Sequence, residues 1–217
     1  MNISKYNIRE YRDSDYPTCE KLVSDAWQFD ENFKPKKLAD IARLMYTKGS
    51  LINANFYRVA ELAGKVVGFI FGLNENGIPP KKSLLFGIEI LLRILFVIGM
   101  PYKEKSRLLK AITTHVENRL KLAKPGRSEI MLFVVDPAHQ GAGLGKRLFS
   151  EFLDECKETE VESIIVETNT KGASTFYEGI GFELMDYFDS PLHEYATKNG
   201  RAVMCQYRLL RHNSDPI

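Results

Sequence analysis

The chain alternates between stretches with the two-residue apolar period of a strand and stretches with the three-to-four-residue period of a helix. Strand-like stretches lie at residues 6–9, 56–62, 65–72, 130–135, 161–168, 182–188 and 202–210. One helix-like stretch begins near Pro17, and three more lie at residues 35–46, 145–157 and 173–180. This order predicts an α/β or α+β domain in which helices cover a central sheet.

For three of the strands the sequence also predicts how they are arranged or buried. The stretches 56–62 and 65–72 are separated only by Ala63 and Gly64, which predicts a β-hairpin. The stretch IMLFVV at 130–135 is apolar at every position, which indicates a strand buried on both faces.

Residues 78–126 interrupt the sheet pattern and predict a helical insertion of 49 residues. Its first part, LLFGIEILLRILFVIGM at 84–100, is 17 residues long, just short of a membrane span, and contains Glu89 and Arg93. Its second part is an amphipathic, basic helix with eight basic and two acidic residues between Pro101 and Arg127. We expect a lid over the substrate cleft, a homodimer contact or a membrane-surface segment, in that order of preference.

Composition narrows the class of protein. The 217 residues are 44% hydrophobic and 27% charged, which is typical of a globular chain, and we expect a single domain over residues 1–217. A net charge of +2 argues against a dedicated nucleic-acid binder. The three cysteines are far apart, so we expect neither a disulfide framework nor a metal site. Since the first residues do not form a secretory signal, we expect a cytoplasmic protein.

The stretch from Val134 to Leu148, VVDPAHQGAGLGKRL, is the candidate for binding a ligand. A strand ends in a proline turn, and a glycine-rich loop leads directly into a helix. Such a loop directs backbone N–H groups and the positive end of a helix dipole at one spot, which suits a pyrophosphate. Arg147 stands where a Walker loop needs Ser or Thr, and GAGLG is not the dinucleotide pattern GxGxxG. The alternative interpretation, a tight strand-to-helix turn that binds no ligand, is still open at this point.

Two motifs together resemble those of the GNAT superfamily of N-acetyltransferases. The first is the loop from Gln140 to Gly145, preceded by Val135, Asp136 and Pro137. The second resembles the family's later signature and consists of Ala173, Phe176, Tyr177, Glu178, Gly181 and Phe182. Both occur in the family's order and at a similar separation.

The resemblance implies a mixed, mostly antiparallel sheet with helices on both faces, and here a helical insertion between the third and fourth strands. It implies direct transfer of an acetyl group from acetyl-CoA to a primary amine. The cofactor-binding residues it implies lie on the fourth strand, in the loop and after the fifth strand: Phe133, Val134, Val135, Gln140, Gly141, Ala142, Gly143, Leu144, Gly145, Lys146 and Asn169.

The resemblance also implies two catalytic residues. Glu129, at the start of the fourth strand, matches the position of a general base, although an exposed strand-end carboxylate with a different base acting through water is the alternative. Tyr177 matches a tyrosine near the sulfur of the cofactor that protonates the leaving thiolate, and a core tyrosine is the alternative.

We therefore predict an acyltransferase that acetylates the amine of a small molecule. Two alternatives stay open, namely a protein lysine or N-terminal acetyltransferase and a non-catalytic sensor that binds acyl-CoA.

Overall fold

The computed structural model describes residues 3–80, 84–124, 126–170, 172–192 and 201–209. The strands are β1 Asn7–Glu10, β2 Phe56–Leu62, β3 Lys65–Leu73, β4 Glu129–Val135, β5 Ser163–Asn169, β6 Glu183–Phe188 and β7 Ala202–Arg208. The helices are α1 Tyr16–Trp27, α2 Phe29–Asn32, α3 Lys36–Asn53, α4 Leu84–Leu95, α5 Tyr102–Leu122, α6 Leu144–Glu158 and α7 Ser174–Gly179.

The seven strands form one sheet in the order β1-β2-β3-β4-β5-β7-β6. Every neighbouring pair is antiparallel except β4 and β5, which are parallel. The predicted mixed, mostly antiparallel sheet is confirmed. The predicted hairpin between β2 and β3 is also confirmed, and its two turn residues both have positive φ, as the tight hairpin turn requires.

Helices cover both faces of the sheet, and each face has its own apolar core. Helices α6 and α7 pack on one face, where their side chains join those of β3, β5 and β7. Helices α1 and α3 pack on the opposite face over β3 and β4, α4 packs against α3 and joins the same core, and α5 contacts β6. The insertion therefore adds two helices to the face that α6 does not occupy.

Helix α3 continues to Asn53, seven residues beyond its predicted end at Tyr46. The segment TKGS at 47–50 breaks the apolar period in the sequence. The helix continues because tertiary contacts use these small and polar residues. Phe86 of α4 packs at Gly49, and the Ser50 hydroxyl donates to the carbonyl of Met131 at 3.3 Å. Tertiary packing here overrides a weak local signal.

Strands β4 and β5 pair only at their beginnings. Glu129 lies opposite Ile165 and Ile130 opposite Val166, and no further pair of this ladder forms among the described residues. Burial along β4 consequently alternates between buried and half-buried positions. The prediction that residues 130–135 are buried on both faces is confirmed in part, because Leu132 and Val134 are buried in one core and Ile130 in the other, while Phe133 and Val135 are only half-buried.

Gly72 illustrates how tightly the core fits around this sheet. A Cβ atom at Gly72 would lie 2.5 Å from the ring of Phe152 on α6, which is fully buried. Gly72→Ala should lower the free energy of unfolding by about 1–3 kcal/mol, as overpacking typically does. Urea unfolding measures this loss. Gly87→Ala is the matched control, since a Cβ there meets nothing within 4 Å, and it should stabilise the helix; equal midpoints for the two variants would refute the packing argument.

Candidate functional site

The glycine-rich loop begins with a short turn that is fixed by its own side chains. The Asp136 carboxylate accepts from the Ala138 amide at 2.9 Å, and the Gln140 amide donates to the Val135 carbonyl at 2.9 Å. Gly141 and Gly143 then adopt φ angles of 75° and 80°, in the left-handed region that favours glycine. The chain is thereby turned from β4 into α6 within eight residues.

Helix α6 begins directly at this loop, with Gly143 as its N-cap. Among the described residues no side chain caps the first turn, so its backbone N–H groups face the loop with the positive end of the helix dipole. Leu144 is buried beneath the loop, whereas Lys146 is exposed beside it. This arrangement fits a phosphate group, and the predicted contacts of the loop residues with the cofactor stay a prediction.

Two loop residues have roles that the sequence did not reveal. A Cβ at Gly145 would lie 3.0 Å from the Phe176 ring of α7, so this glycine allows the two helices to pack. The Arg147 guanidinium donates to the carbonyl of Tyr6 at 2.9 Å and ties α6 to the beginning of β1. The Arg147 guanidinium therefore points toward β1, whereas the Lys146 side chain is exposed next to the loop.

Strands β4 and β5 separate past Ile130, and we call the space between them the cleft; the loop follows β4 at the open end of this cleft. Phe133 and Val135 are half-buried on β4, while Val134 between them is buried in the opposite core. The ring of Phe133 meets that of Phe176 edge to face at 5.5 Å. Past Ile130 the edge of β4 that faces β5 forms no ladder with it, so an extended amide chain can pair there.

Asn169 is the last residue of β5 and lies at the wide end of the cleft, where it pairs with Ala202 of β7. A Cβ at Gly172 would come within 2.5 Å of its side-chain oxygen. The turn after β5 therefore packs directly against the Asn169 side chain. Its predicted contact with the cofactor stays a prediction.

Tyr177 lies on α7 within an aromatic cluster on the α6 face of the sheet. Its ring contacts Phe176 at 5.4 Å and Phe182 at 5.3 Å, and the residue is 5% exposed. Burial raises the pKa of the Tyr177 hydroxyl, so it stays protonated at neutral pH and can act only as a proton donor. It lies next to Phe176, whose ring meets Phe133 of β4, and its role as a catalytic acid stays a prediction beside the alternative of a core tyrosine.

Glu129 lies at the opposite end of the cleft in a half-buried network of charges. Its carboxylate accepts from the Arg119 guanidinium of α5, and the same guanidinium donates through Nε to Glu167 of β5 at 3.1 Å. His115, one turn earlier on α5, has Nε2 at 3.7 Å from the Glu167 carboxylate. Its Nδ1 lies 2.9 Å from the Ser190 hydroxyl. We call His115, Arg119, Glu129 and Glu167 the charge network.

Burial and pairing act in opposite directions on Glu129. Its side chain is 12% exposed, and desolvation raises its pKa, while Arg119 lowers it; the net direction is upward. Burial, together with the nearby Arg119 charge, lowers the pKa of His115 to about 4, so this imidazole is neutral at pH 7. The network thus holds a carboxylate of increased basicity next to a neutral imidazole.

Sequence reasoning identified Glu129 but missed its three partners. His115 and Arg119 are four residues apart, which places them on one face of a helix. Glu129 and Glu167 lie near the paired beginnings of two parallel strands. Both signals were present, but nothing in the sequence indicated that the basic helix would cross over these strands.

Metal and membrane criteria give two further findings. Within the described ranges no group of three or more His, Cys, Asp and Glu side chains could hold a metal ion. In the same ranges no helix combines the length and apolar character that spanning a bilayer requires.

Comparison with protein families finds a match to a known domain. Residues 107–187 match the acetyltransferase (GNAT) domain, a range that extends from α5 to β6 and includes the loop. A segment of 66 residues is 36% identical to the N-alpha-acetyltransferase RimI of Mycobacterium tuberculosis. That segment covers 30% of this chain and 41% of the relative, so less than half of the relative's length is matched.

Comparison with solved structures supports the fold along nearly the whole chain. The PaiA N-acetyltransferase of Thermoplasma acidophilum, solved in complex with coenzyme A, is 12% identical, with a TM-score of 0.55 over 94% of this chain and 99% of its own. YncA of Salmonella typhimurium, solved with its cofactor acetyl-CoA, is 17% identical, with a TM-score of 0.53 over 98% of each chain. At these identities the likeness shows the fold.

Proposed function

We propose that this chain, whose residues 107–187 match the acetyltransferase (GNAT) domain, is a GNAT acetyltransferase that transfers the acetyl group of acetyl-CoA to a primary amine. One observation carries the proposal. An uncapped, glycine-rich helix N-terminus opens onto the cleft between two parallel strands, and a half-buried carboxylate lies at the other end of that cleft. A phosphate site, an unpaired strand edge and a base thus follow one another along the cleft.

The fit of acetyl-CoA follows from these parts. Acetyl-CoA would supply an acetyl thioester for direct attack by an amine. The amides of the loop from Gln140 to Leu144 would bind its pyrophosphate, and the free edge of β4 near Phe133 would pair with the amides of its pantetheine arm. Lys146 would add an attractive charge from the exposed side of the loop.

Glu129 would prepare the amine. An alkylamine has a pKa of roughly 10.4 and is mostly protonated at neutral pH, so a base must take one proton before the nitrogen attacks. The raised pKa of the Glu129 carboxylate suits it to accept this proton, and Arg119 orients the carboxylate from α5. His115, neutral in the same network, is the alternative base.

Helix α5 provides the argument for a small acceptor. It crosses the face that contains Glu129 and contacts the end of β6, where the Asn118 side chain donates to the Asp189 carbonyl at 2.9 Å. Because α5 is fixed at β4 and at the end of β6, it encloses the side of the cleft where the acceptor amine would bind. An enclosed site favours a small amine over an extended peptide. The 36% identity to RimI favours the second candidate, acetylation of a protein N-terminus.

The decisive experiment is release of CoA from acetyl-CoA with a panel of acceptors. Small polyamines and amino sugars test the first candidate, and peptides with a free N-terminus or an internal lysine test the second. Turnover with small amines alone supports the proposal, and turnover with peptides alone transfers it to the second candidate. Binding of acetyl-CoA without turnover on any acceptor would indicate a non-catalytic sensor and refute both.

We also propose that the chain is a single-domain cytoplasmic enzyme. Its three cysteines, Cys19, Cys156 and Cys205, are free and buried. Free thiols are the usual state in a reducing compartment.

Tyr177→Phe tests the proposed acid. It removes the proton donor for the leaving thiolate and keeps the ring, so kcat should fall about 10²-fold while KM for acetyl-CoA changes little. Steady-state kinetics measures both constants. Tyr207→Phe is the matched control, since this tyrosine contacts Phe182 in the same cluster at 5.5 Å and should keep wild-type kcat. An unchanged kcat in Tyr177→Phe, with only stability affected, would assign this tyrosine to the core.

A further inference from the structure

Helix α4 exposes an apolar surface that the proposed reaction does not use. We define the leucine face as the exposed apolar side chains of α4 and the residues just after it. Its members are Leu84 at 83% exposure, Leu85 at 77%, Ile88 at 45%, Leu91 at 43%, Leu92 at 47%, Leu95 at 41%, Phe96 at 76% and Ile98 at 77%. Contiguous exposed apolar surface of this kind marks an interaction site.

The leucine face is not needed to anchor α4 to the domain. The opposite side of the helix does this through Phe86, Ile90 and Ile94, which are buried against α3 and α5. The charged residues of α4 lie along one flank, where Arg93 donates to Glu89 at 2.7 Å. The helix is therefore apolar on two sides, and one of them faces outward.

Basic residues border the leucine face. The Lys105 ammonium donates to the Leu95 carbonyl at 2.6 Å, which fixes the beginning of α5 next to the end of α4. The exposed charged and aromatic residues in the first half of α5 are Lys103, Arg107 and Lys110, one carboxylate, Glu104, and Tyr102 at 83% exposure, so this surface is basic on balance. An aromatic residue and several cations beside an apolar surface are the features of a segment that lies at a lipid headgroup layer.

We propose that the leucine face binds the surface of a membrane that contains anionic lipids. Helix α4 has 12 residues and so is about 18 Å long, too short to cross a hydrocarbon core of about 30 Å but suited to lie in its interface. Apolar side chains would enter the acyl boundary, and the basic residues would face the headgroups. A second copy of the chain is disfavoured as the occupant, because a two-fold contact through this face would bring two basic borders together.

Vesicle sedimentation tests the proposal without any assay of acetyl transfer. The wild-type protein should sediment with phosphatidylglycerol vesicles, less with phosphatidylcholine vesicles, and less at high salt. The double variant Leu85→Glu and Phe96→Glu should lower the partition coefficient by about tenfold or more. Leu184→Glu is the matched control, since Leu184 of β6 is 48% exposed and distant from α4 in the chain, and it should bind as the wild type does. Circular dichroism checks that all variants fold.

Three outcomes would overturn the proposal. The wild-type protein could stay in the supernatant with phosphatidylglycerol vesicles. The double variant could bind as well as the wild type, which would assign binding to another surface. Sedimentation velocity could show a wild-type dimer that the double variant abolishes, which would make a second copy the occupant of the leucine face.

Discussion

Replacing Arg119 with methionine should lower the free energy of unfolding by about 3–5 kcal/mol at neutral pH, because it removes the cation that two half-buried carboxylates share. Glu129 and Glu167 both accept from this guanidinium, and their side chains are 12% and 19% exposed. Methionine keeps the length and the apolar stem of the side chain. The loss therefore reports the removal of the shared cation, and chemical unfolding measures it.

The pH dependence of this loss has a definite sign. Arg119 is the source of both interactions that lower the pKa of Glu129, so its removal raises that pKa further. A carboxyl group with a raised folded-state pKa favours folding at low pH, and this contribution is lost as the pH rises through the raised value. The stability difference between wild type and variant should thus be small near about pH 5 and larger near about pH 7.5.

His115 contributes in the same direction. Its folded-state pKa of about 4 lies below its ordinary value of 6.5, so the neutral ring stabilises the fold above pH 6.5 and this stabilisation is lost as the pH falls. Arg119 is one cause of that lowering, after burial. The variant should lose less than the wild type on acidification, which again narrows the difference at low pH.

Two variants show whether the effect belongs to the charge network. Arg93→Met removes an exposed guanidinium that pairs with Glu89 on α4, and it should change stability little. Glu129→Gln in the Arg119→Met background should recover part of the loss, because it removes one of the unpaired charges. If Arg119→Met and Arg93→Met unfolded at the same denaturant concentration, the network would have no special role.

The loop and the order of elements could be predicted because their signals are local. Gly141 and Gly143 adopt backbone angles that other residues rarely reach, so their spacing marks a turn in the sequence itself. Helix α6 and the hairpin likewise follow from period and turn chemistry. These elements lie where the sequence predicts them, to within one or two residues at α6 and in the hairpin.

The charge network could not be predicted because its contacts join distant parts of the chain. Arg119 belongs to a stretch with many cations, which is typical of the solvent-facing side of an amphipathic helix. Its guanidinium nevertheless donates to a carboxylate on each of two strands, β4 and β5. The half-exposed side of β4 has the same origin, since it depends on where β5 departs. Both features depend on tertiary geometry, which residue periodicity does not encode.

Glu129→Gln should lower kcat by about 10³-fold while KM for acetyl-CoA changes little, since the cofactor loop lies at the other end of the cleft. Glutamine fills the same volume and its oxygen can still accept from Arg119, so the fold should be kept. What is lost is the group that takes a proton from the ammonium of the acceptor. Steady-state kinetics with the best amine of the panel measures the effect.

The pH profile separates a lost base from a distorted site. In the wild type kcat should rise with pH as the Glu129 carboxyl ionises, and the raised pKa of that group moves this limb upward from the ordinary range of glutamate. In Glu129→Gln the rate should follow the free amine itself, so activity returns toward roughly pH 10. A site that is merely distorted would lose activity at every pH.

Glu167→Gln and His115→Gln are the controls for Glu129→Gln. Each of them changes one other side chain of the charge network. Glu167 binds the same guanidinium as Glu129, so its variant shares the disturbance of Arg119 but keeps the proposed base. We expect it to retain kcat within about tenfold of wild type. A full loss in His115→Gln together with an active Glu129→Gln would assign the base to the neutral imidazole and leave Glu129 the role of orienting Arg119.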